Sequence, residues 1–464
     1  MSSAPSLGVP ELAGIASYKE ATKIGYSVEE NVSRLLRYHW VERRLSQILV
    51  ARLAETPEWE VKGGFALHQW QDVEHASAIA DRIRELRHPT PRLDRAPSEA
   101  LEIFLLEIEQ AQDTLELLAG VYRVARADLA AAYREHIDTI NPLVDHPTRR
   151  SLRLASAEEE EALGWGARSL GALTGNRPEA TARIRRWEEH LHAFLGAARG
   201  VAGDLPLNSG TALPARRAET PRPRSFRPRR DHRFNGQHNF SFPPHTVYDK
   251  PHIPPIERNL ALLCKRLLEM DVPEMMASFM TEERDQPWEF QRDYSRQLWD
   301  EARHSMMGEA AFEARGVDWT RIPLNMGFSL RLNLHASPEE RRILLLAVEQ
   351  SLMPGDTGKK AEQETARLAG DALSAHFHDY DWADEVLHTQ IGRRWLKEIE
   401  GRKDLATRAK EIHEKTWREL DQYKSLDSQS AVWWLEFVQR VLNTESAARP
   451  EDLEPDSVDV IPNG

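Results

Sequence analysis

The stretch Trp299-Asp300-Glu301-Ala302-Arg303-His304 decides how this chain is interpreted. It lies in an amphipathic run, residues 287–316, that predicts one long helix. Because residues three apart on a helix point to the same side, Glu301 and His304 can bind one ligand together. A second pair of this kind follows at Glu385-Val386-Leu387-His388. The chain is therefore predicted to be all-α, with two acid–imidazole pairs on two different helices.

Two such pairs predict a dinuclear metal site if two neighbouring helices add further carboxylates. Glu349 is the candidate on one of them, since it stands in the very apolar run 343–352, where an uncompensated charge is costly. On the other helix the spacing to Glu301 favours Glu269, and Glu274 stays open as an alternative ligand or as a neighbour of the ligands. The predicted metal ligands are Glu269, Glu301, His304, Glu349, Glu385 and His388.

Carboxylate oxygens with one imidazole per metal suit iron or manganese. Glu301 and Glu385 are expected to bridge the two ions, and His304 and His388 are expected to bind one ion each. The imidazoles also need hydrogen-bond partners that fix their orientation. The candidates for this role are Asp300, Asp381 and Asp384.

The composition limits the partners that the chain is expected to have. With 464 residues, of which 41% are hydrophobic, it can form several packed domains. It contains no run of about 18 apolar residues and begins with no secretory signal, so neither a membrane nor export is expected. A formal net charge of −13 argues against a general nucleic-acid binder. Its single Cys264 excludes an internal disulfide and a thiolate metal cage, and indicates a cytoplasmic protein.

The helical period extends on both sides of the opening stretch. In the first half, it predicts helices at 28–55, 58–87, 98–136, 148–173 and 179–199. In the second half, it predicts helices at 256–283, 287–316, 338–353, 359–377, 380–401, 404–423 and 428–443. The segment 319–335 contains Pro, Asn and Gly and is interpreted as a lid or an edge structure.

The two halves align on each other without a gap. Trp59, Glu60, Trp70, Asp72 and His75 match Trp288, Glu289, Trp299, Glu301 and His304 at one constant offset of 229 residues. The simplest account is two tandem bundles descended from one. The first copy has Glu42 upstream of its Asp72-x-x-His75 pair, but no second acid–imidazole pair follows its acidic run 158–161. It is expected to be degenerate and mainly structural, or to bind at most one weak metal ion.

Composition shifts divide the chain into five segments. They are a flexible N-terminal arm at 1–28, a degenerate bundle at 29–202, a Pro/Arg-rich linker or strap at 203–256, a metal-binding bundle with extra C-terminal helices at 257–445, and a disordered acidic tail at 446–464. The Arg cluster of the strap is interpreted as a basic surface that lies on an acidic protein, with an anion or an acidic partner as the alternative.

The pairs at 301–304 and 385–388, with Glu349 and with Glu269 or Glu274, resemble the ferritin-like superfamily, in its group of di-iron carboxylate oxidases and oxygenases. The resemblance covers about 256–400 well and the first half only in part. It implies a four-helix metal bundle that holds two iron ions, or an iron–manganese or dimanganese pair, and that reacts with O₂ or peroxide. The degenerate first copy, the strap and the extra C-terminal helices depart from the family and argue against simple iron storage.

Three functions are compatible with these features. The first is a non-haem di-iron oxygenase or oxidase that uses O₂ on a small organic substrate, and a place in a biosynthetic pathway stays open. The second is a ferroxidase, iron-handling or peroxide-removing protein, and the third is a metal-free helical scaffold. An apolar pocket beside the site would favour the first, and a polar channel the second. The expected partners are the substrate and an external electron donor; a homodimer stays open.

Overall fold

The computed structural model describes residues 7–206, 213–220, 222–234, 242–420 and 433–448. Within these residues the chain is all-α and contains no strand, as the sequence predicts. The described residues fall into two compact units. Unit 1 comprises Met1–Arg229 and Pro273–Trp299, and unit 2 comprises Arg230–Val272 and Asp300–Gly464. Unlike the segments drawn from composition, the two units interleave along the sequence.

The helices up to the strap are α1 (Tyr18–Ala21), α2 (Val28–Leu53), α3 (Trp59–Glu85), α4 (Glu99–Glu109), α5 (Thr114–Leu118), α6 (Arg126–Thr139), α7 (His146–Thr174) and α8 (Pro178–Ala197). The later ones are α9 (Pro255–Leu268), α10 (Asp271–Glu282), α11 (Trp288–Glu313), α12 (Gly327–His335), α13 (Pro338–Ser351), α14 (Lys359–Leu368), α15 (Ala372–Trp395), α16 (Arg402–Glu419) and α17 (Trp433–Ala448). Both α10 and α11 contribute residues to both units. Among the described helices, none combines the length and the apolar content that a bilayer-spanning helix needs.

Unit 1 brings together the two tryptophans that the alignment pairs. The rings of Trp70 on α3 and Trp299 on α11 stack, with centroids 6.5 Å apart and planes inclined by 9°. Beside them, the amide nitrogen of Gln69 donates to the backbone carbonyl of Ser295 at 2.9 Å. Equivalent positions of the aligned helices α3 and α11 therefore lie in contact inside this unit.

The single helix predicted at 98–136 is wrong. The chain forms α4, a break at 110–113, α5, a π-helical turn at Ala119–Ala125, and α6. At the break, the Asp113 side chain accepts from the backbone N–H of Glu116 at 2.9 Å and caps α5. Aspartate favours such caps over helix interiors because its side chain competes for backbone hydrogen bonds.

The single helix predicted at 256–283 is also wrong, and its break shapes the site. A proline inside a helix clashes with the carbonyl four residues earlier, which for Pro273 is that of Glu269. The chain accordingly ends α9 at Leu268 and begins α10 at Asp271. Glu269 is therefore the residue that follows the last turn of α9.

The boundary predicted between 377 and 380 lies elsewhere. The chain turns at Gly370, whose φ is +74°, and Asp371 then caps α15 by accepting from the N–H of Ser374 at 3.0 Å. Glycine adopts this left-handed backbone conformation without the strain that a side chain would add. Residues 372–395 consequently form one continuous helix, which carries Asp381, Glu385 and His388.

The segment 319–335, interpreted from the sequence as a lid or an edge structure, forms a short 3₁₀ turn at Trp319–Arg321 and then α12. The described part of the strap pairs its arginines with acidic residues of unit 1. Its ion pairs include Arg216 to Glu107, Arg217 to Glu116 and Arg224 to Glu109, at 2.9, 2.5 and 3.3 Å. In the predicted acidic tail, residues 446–448 belong to α17, and residues 449–464 lie outside the described chain.

Candidate metal centre

One half of the candidate centre surrounds His388 in unit 2. Its Nδ1 lies 3.3 Å from Glu301 Oε1, 3.4 Å from Glu385 Oε2 and 3.9 Å from Glu349 Oε1. The four residues offer ligand atoms within 4.8 Å of one another, and all four are buried. They come from α11, α13 and α15, so packing of three helices brings them together.

The other half surrounds His304. Its Nδ1 lies 3.3 Å from Asp381 Oδ1, and 3.7 Å from Glu269 Oε2 and from Glu301 Oε2. The two imidazole rings have centroids 5.8 Å apart, and Glu301 lies beside both. The structure thus brings all six predicted ligands together. It adds Asp381, which the sequence suggested only as a partner of an imidazole.

The second ring nitrogens are held by two aspartates in a reciprocal pattern. His304 Nε2 lies 3.2 Å from Asp384 Oδ2, and His388 Nε2 lies 3.4 Å from Asp300 Oδ2. Each aspartate directly precedes the glutamate of the opposite pair. With Nε2 engaged, the two Nδ1 atoms face the carboxylates, and neither has a hydrogen-bond partner among the described residues. A buried imidazole whose outer nitrogen is fixed by a carboxylate is the arrangement that metal-binding histidines adopt.

The negative charge of the cluster raises the pKa values of its own members. Burial by itself would lower the pKa of His304, but Asp381, Asp384 and Glu301 raise that pKa to about 10. Burial together with the charges of Glu385 and Glu301 raises the pKa of Glu349 well above its usual range. Without a metal, the cluster therefore takes up protons, which metal ions would replace on binding.

Two side-chain cations contact carboxylates of the centre. Lys359, at the start of α14, is fully buried, with its Nζ 2.8 Å from Asp381 Oδ1 and 2.8 Å from Glu385 Oε1. Arg266 on α9 is ion-paired with Asp381 and, at 2.8 Å, with Glu269. Neither contact is predictable from the sequence, because both depend on how α9 and α14 pack against α15. Of the carboxylates that these cations contact, Asp381 and Glu269 lie beside His304, and Glu385 lies beside His388.

Glu274 does not join this cluster. It is fully buried in unit 1, where its side chain is ion-paired with Lys62 on α3. The break of the chain after Glu269 separates the two glutamates, because Glu274 belongs to the part of α10 in unit 1. The alternative assignment to Glu274 is therefore dropped, and Glu269 is the glutamate beside His304.

The first copy of the pair lies in a second buried cluster, in unit 1. Here the guanidinium of Arg126 is 2.7 Å from Asp72 and 2.5 Å from Glu159. Both ring nitrogens of His75 are engaged, one with Glu42 at 3.2 Å and the other with Glu158 at 2.8 Å. Arg126 directly follows the π-helical turn in the chain. A side chain thus supplies the positive charge at the centre of this cluster.

A cavity of about 490 Å³ lies beside the candidate centre in unit 2. Such a volume is typical of pockets that bind small organic molecules. Its wall is mostly apolar or aromatic and includes Phe242, Tyr248, Leu268, Val272, Phe328, Leu345, Leu352 and Trp417. Glu269, Glu301, Glu349 and Glu385 also line it, so the predicted carboxylate ligands are open to whatever occupies the cavity.

No family model, no curated protein and no solved structure matches the chain. Only the geometry of the two clusters and of the cavity bears on its function.

Proposed function

We propose that unit 2 is a non-haem di-iron oxygenase or oxidase with a ferritin-like metal bundle, which uses O₂ to oxidise a small organic molecule. The observation that carries this proposal is the cavity: carboxylates of a buried acid–imidazole cluster line a space of about 490 Å³ that also has an aliphatic and aromatic wall. A ferroxidase or a peroxide-removing protein needs only a path for small polar solutes, and the aliphatic and aromatic part of the wall does not serve that purpose. An organic substrate gains free energy from the same wall by burying its apolar surface.

The residues present fit a pair of metal ions. His388, Glu349 and Glu385 would hold one ion and His304 and Glu269 the other, with Glu301 beside both positions. The Nδ1 atoms of both histidines support this assignment, since each faces several carboxylates and forms no hydrogen bond among the described residues. Two iron ions, or an iron–manganese or dimanganese pair, would supply the electrons that activate O₂.

The surrounding side chains keep the donors in place. Asp384 and Asp300 orient the imidazoles through Nε2, so that each ring presents Nδ1 to the carboxylates. Arg303 donates to both aspartates, at 2.5 and 2.7 Å, and fixes their positions in turn. Lys359 neutralises part of the charge of Asp381 and Glu385 and keeps these two carboxylates together when no metal is bound.

The test is to load the metal-free chain with Fe(II) under anaerobic conditions, measure metal per chain, and then record O₂ uptake. We expect about two ions per chain and O₂ consumption that depends on them. The His388→Ala variant should lose both properties. His376→Ala is the matched control, because His376 lies exposed on the same helix α15 and should leave both unchanged.

Less than about one iron or manganese ion per chain, after aerobic purification from supplemented medium, would contradict the proposal and support the metal-free scaffold. Rapid Fe(II) oxidation with release of ferric iron, and with no effect of any organic ligand, would favour the ferroxidase.

A further inference from the structure

Arg331 on α12 is a buried cation that lines the cavity in unit 2. Only 4% of the residue is exposed. Its guanidinium donates to Thr416 Oγ1 at 2.6 Å and lies between two rings, 5.5 Å from the centre of Phe328 and 5.7 Å from that of Trp417. Among the described residues it forms no ion pair, and its Nε has no hydrogen-bond partner.

The other long cation of the cavity wall is already compensated. Lys265 Nζ lies 2.5 Å from Glu362 Oε1, so its charge is paired within the protein. A buried charge without a counter-charge costs much more free energy than a paired one. Burial accordingly lowers the pKa of Arg331 to about 10, and the charge of Asp271 opposes this effect only in part. The guanidinium therefore has unused capacity to pair with an anion.

The position of Arg331 is fixed at both ends of α12. At the start of the helix, the carboxylate of Asp271 accepts from the backbone N–H groups of Phe328 and Ser329, at 2.9 and 3.0 Å. At the end, the guanidinium of Arg341 donates to the carbonyl oxygens of Leu332 and Asn333, at 3.0 and 3.1 Å. Arg331 is thus presented by an anchored helix, which keeps the entropic cost of binding low.

We infer that the cavity binds an organic acid whose carboxylate pairs with Arg331 and whose apolar body lies along the aromatic and aliphatic wall. This inference rests on the proposed function in one respect, namely that the ligand is the substrate presented to the metal centre. A guanidinium matches a planar carboxylate with two parallel hydrogen bonds.

The charge of the cavity favours a monoanion. Arg331 supplies one positive charge that forms no ion pair among the described residues, whereas Glu269, Asp271, Glu301, Glu349 and Glu385 line the same cavity. A phosphate ester carries close to two negative charges at neutral pH and would meet stronger repulsion from these carboxylates. A neutral molecule would leave the guanidinium without a counter-charge.

The test measures binding to the full-length chain after removal of metal, so that a carboxylate cannot bind through iron. Octanoate and 4-phenylbutyrate are titrated by calorimetry beside the neutral analogues 1-octanol and 4-phenyl-1-butanol. We expect each acid to bind roughly 10- to 100-fold more tightly than its alcohol, the range that charge-assisted hydrogen bonds supply. The Arg331→Met variant should lose this preference and keep the affinity for the alcohols.

Two further variants make the result decisive. Arg331→Lys should keep a part of the preference for the acids, because an ammonium retains the charge but not the planar pair of donors. Arg393→Met, which removes an exposed arginine from α15, should change nothing. Thermal unfolding of each variant shows whether it is folded, and if Arg331→Met does not fold, the acid-to-alcohol ratio of wild type and Arg331→Lys decides.

Equal affinity of wild type for acid and alcohol, or equal affinity of wild type and Arg331→Met for the acids, would overturn the inference. Failure of both acids to bind at millimolar concentration would do the same. Because these titrations use neither metal nor turnover, their outcome does not depend on whether the proposed function is correct. A chain that binds octanoate through Arg331 but takes up no iron would refute the proposed oxygenase and leave the anion site intact.

Discussion

The buried clusters of unit 1 and unit 2 differ in what balances their negative charge. Asp72 and His75 stand at the same positions of the aligned helices as Glu301 and His304. In unit 1, the Arg126 guanidinium lies between two carboxylates, and both nitrogens of the imidazole are engaged. In unit 2, the Nδ1 atom of each imidazole faces carboxylates at 3.3 Å or more and forms no hydrogen bond among the described residues. An acid–imidazole pair thus takes part in an ion-pair network around an arginine in unit 1. In unit 2, the corresponding pair presents an Nδ1 atom to several carboxylates.

The cations in the two clusters also differ in how they are placed. Arg126 sits between Asp72 and Glu159, where a metal ion would have to displace it. In unit 2, Lys359 contacts the predicted ligand Glu385, but Glu301, which lies beside both imidazoles, has no ion pair with a lysine or arginine in the described chain. An acid–imidazole pair on a helix therefore does not by itself define a metal site. The charges that neighbouring helices contribute decide whether the buried carboxylates still need a cation to balance them.

Arg126→Met should have the largest effect, which is a loss of stability in unit 1. It leaves Asp72 and Glu159 buried without their counter-charge, so the free energy of unfolding should fall by about 3–5 kcal/mol, with or without metal. Urea unfolding followed by circular dichroism measures this loss. Arg134→Met is the control: its ion pair with Glu160 is exposed and should contribute less than about 1 kcal/mol. Rescue of Arg126→Met by iron would show that the unit 1 cluster accepts a metal after all.

Lys359→Met should separate the two clusters by their response to metal. Without metal, it exposes Asp381 and Glu385 to mutual repulsion and should lower the free energy of unfolding by about 3 kcal/mol. With two bound ions the deficit should shrink to less than about 1 kcal/mol, because the metal supplies the missing positive charge. Lys360→Met, at the neighbouring exposed position, is the control. An equal deficit in both states would mean that Lys359 does not act as a substitute for a cation.

Loss of an imidazole should remove metal only from unit 2. His304→Ala and His388→Ala should each reduce metal content below about one ion per chain, because each removes a nitrogen ligand. His75→Ala should leave the content unchanged, because Arg126 already occupies that cluster. Elemental analysis after gel filtration measures all three variants side by side. Equal loss from all three would refute the view that the first copy is degenerate.

The aspartates behind the imidazoles should have the smallest effect. Asp300→Asn and Asp384→Asn should weaken metal binding roughly 10- to 100-fold without abolishing it, since the rings keep a partner but lose the negative charge behind them. Competition with a chelator of known affinity measures the change. Asp379→Asn, exposed on α15, is the control. If neither substitution weakens binding beyond the control, these aspartates only orient the rings.

What the sequence could predict is what depends on local spacing. Residues three apart on a helix share a side whatever the rest of the fold does, so the pairs at 301–304 and 385–388 were evident from their spacing, as was the all-α class. Glu349 was also predictable, because a lone acid in an apolar run needs a partner. Two of the helix boundaries that differ from the prediction do have a signal in the sequence, namely Pro273 and the Gly370-Asp371 turn.

The rest of the site depends on contacts between helices that sequence spacing does not report. Lys359 lies 2.8 Å from Glu385, and Arg266 is ion-paired with Asp381, although neither lies near its partner in the sequence. Arg331 carried no recognisable pattern, whereas Arg393 and Arg394, five and six residues after His388 on α15, are exposed to solvent. Charge compensation and cavity lining arise only from packing, and they are the features on which the functional proposals depend.

The bridging position of Arg303 has a consequence for how the two metal positions would communicate. Its guanidinium joins Asp300 and Asp384, and each of these supports the histidine on the opposite helix. A rotation of α11 or α15 that displaced one imidazole would therefore also displace the aspartate that is hydrogen-bonded to the other imidazole. Occupation of the two positions should consequently be cooperative, with the first ion stiffening the frame that receives the second.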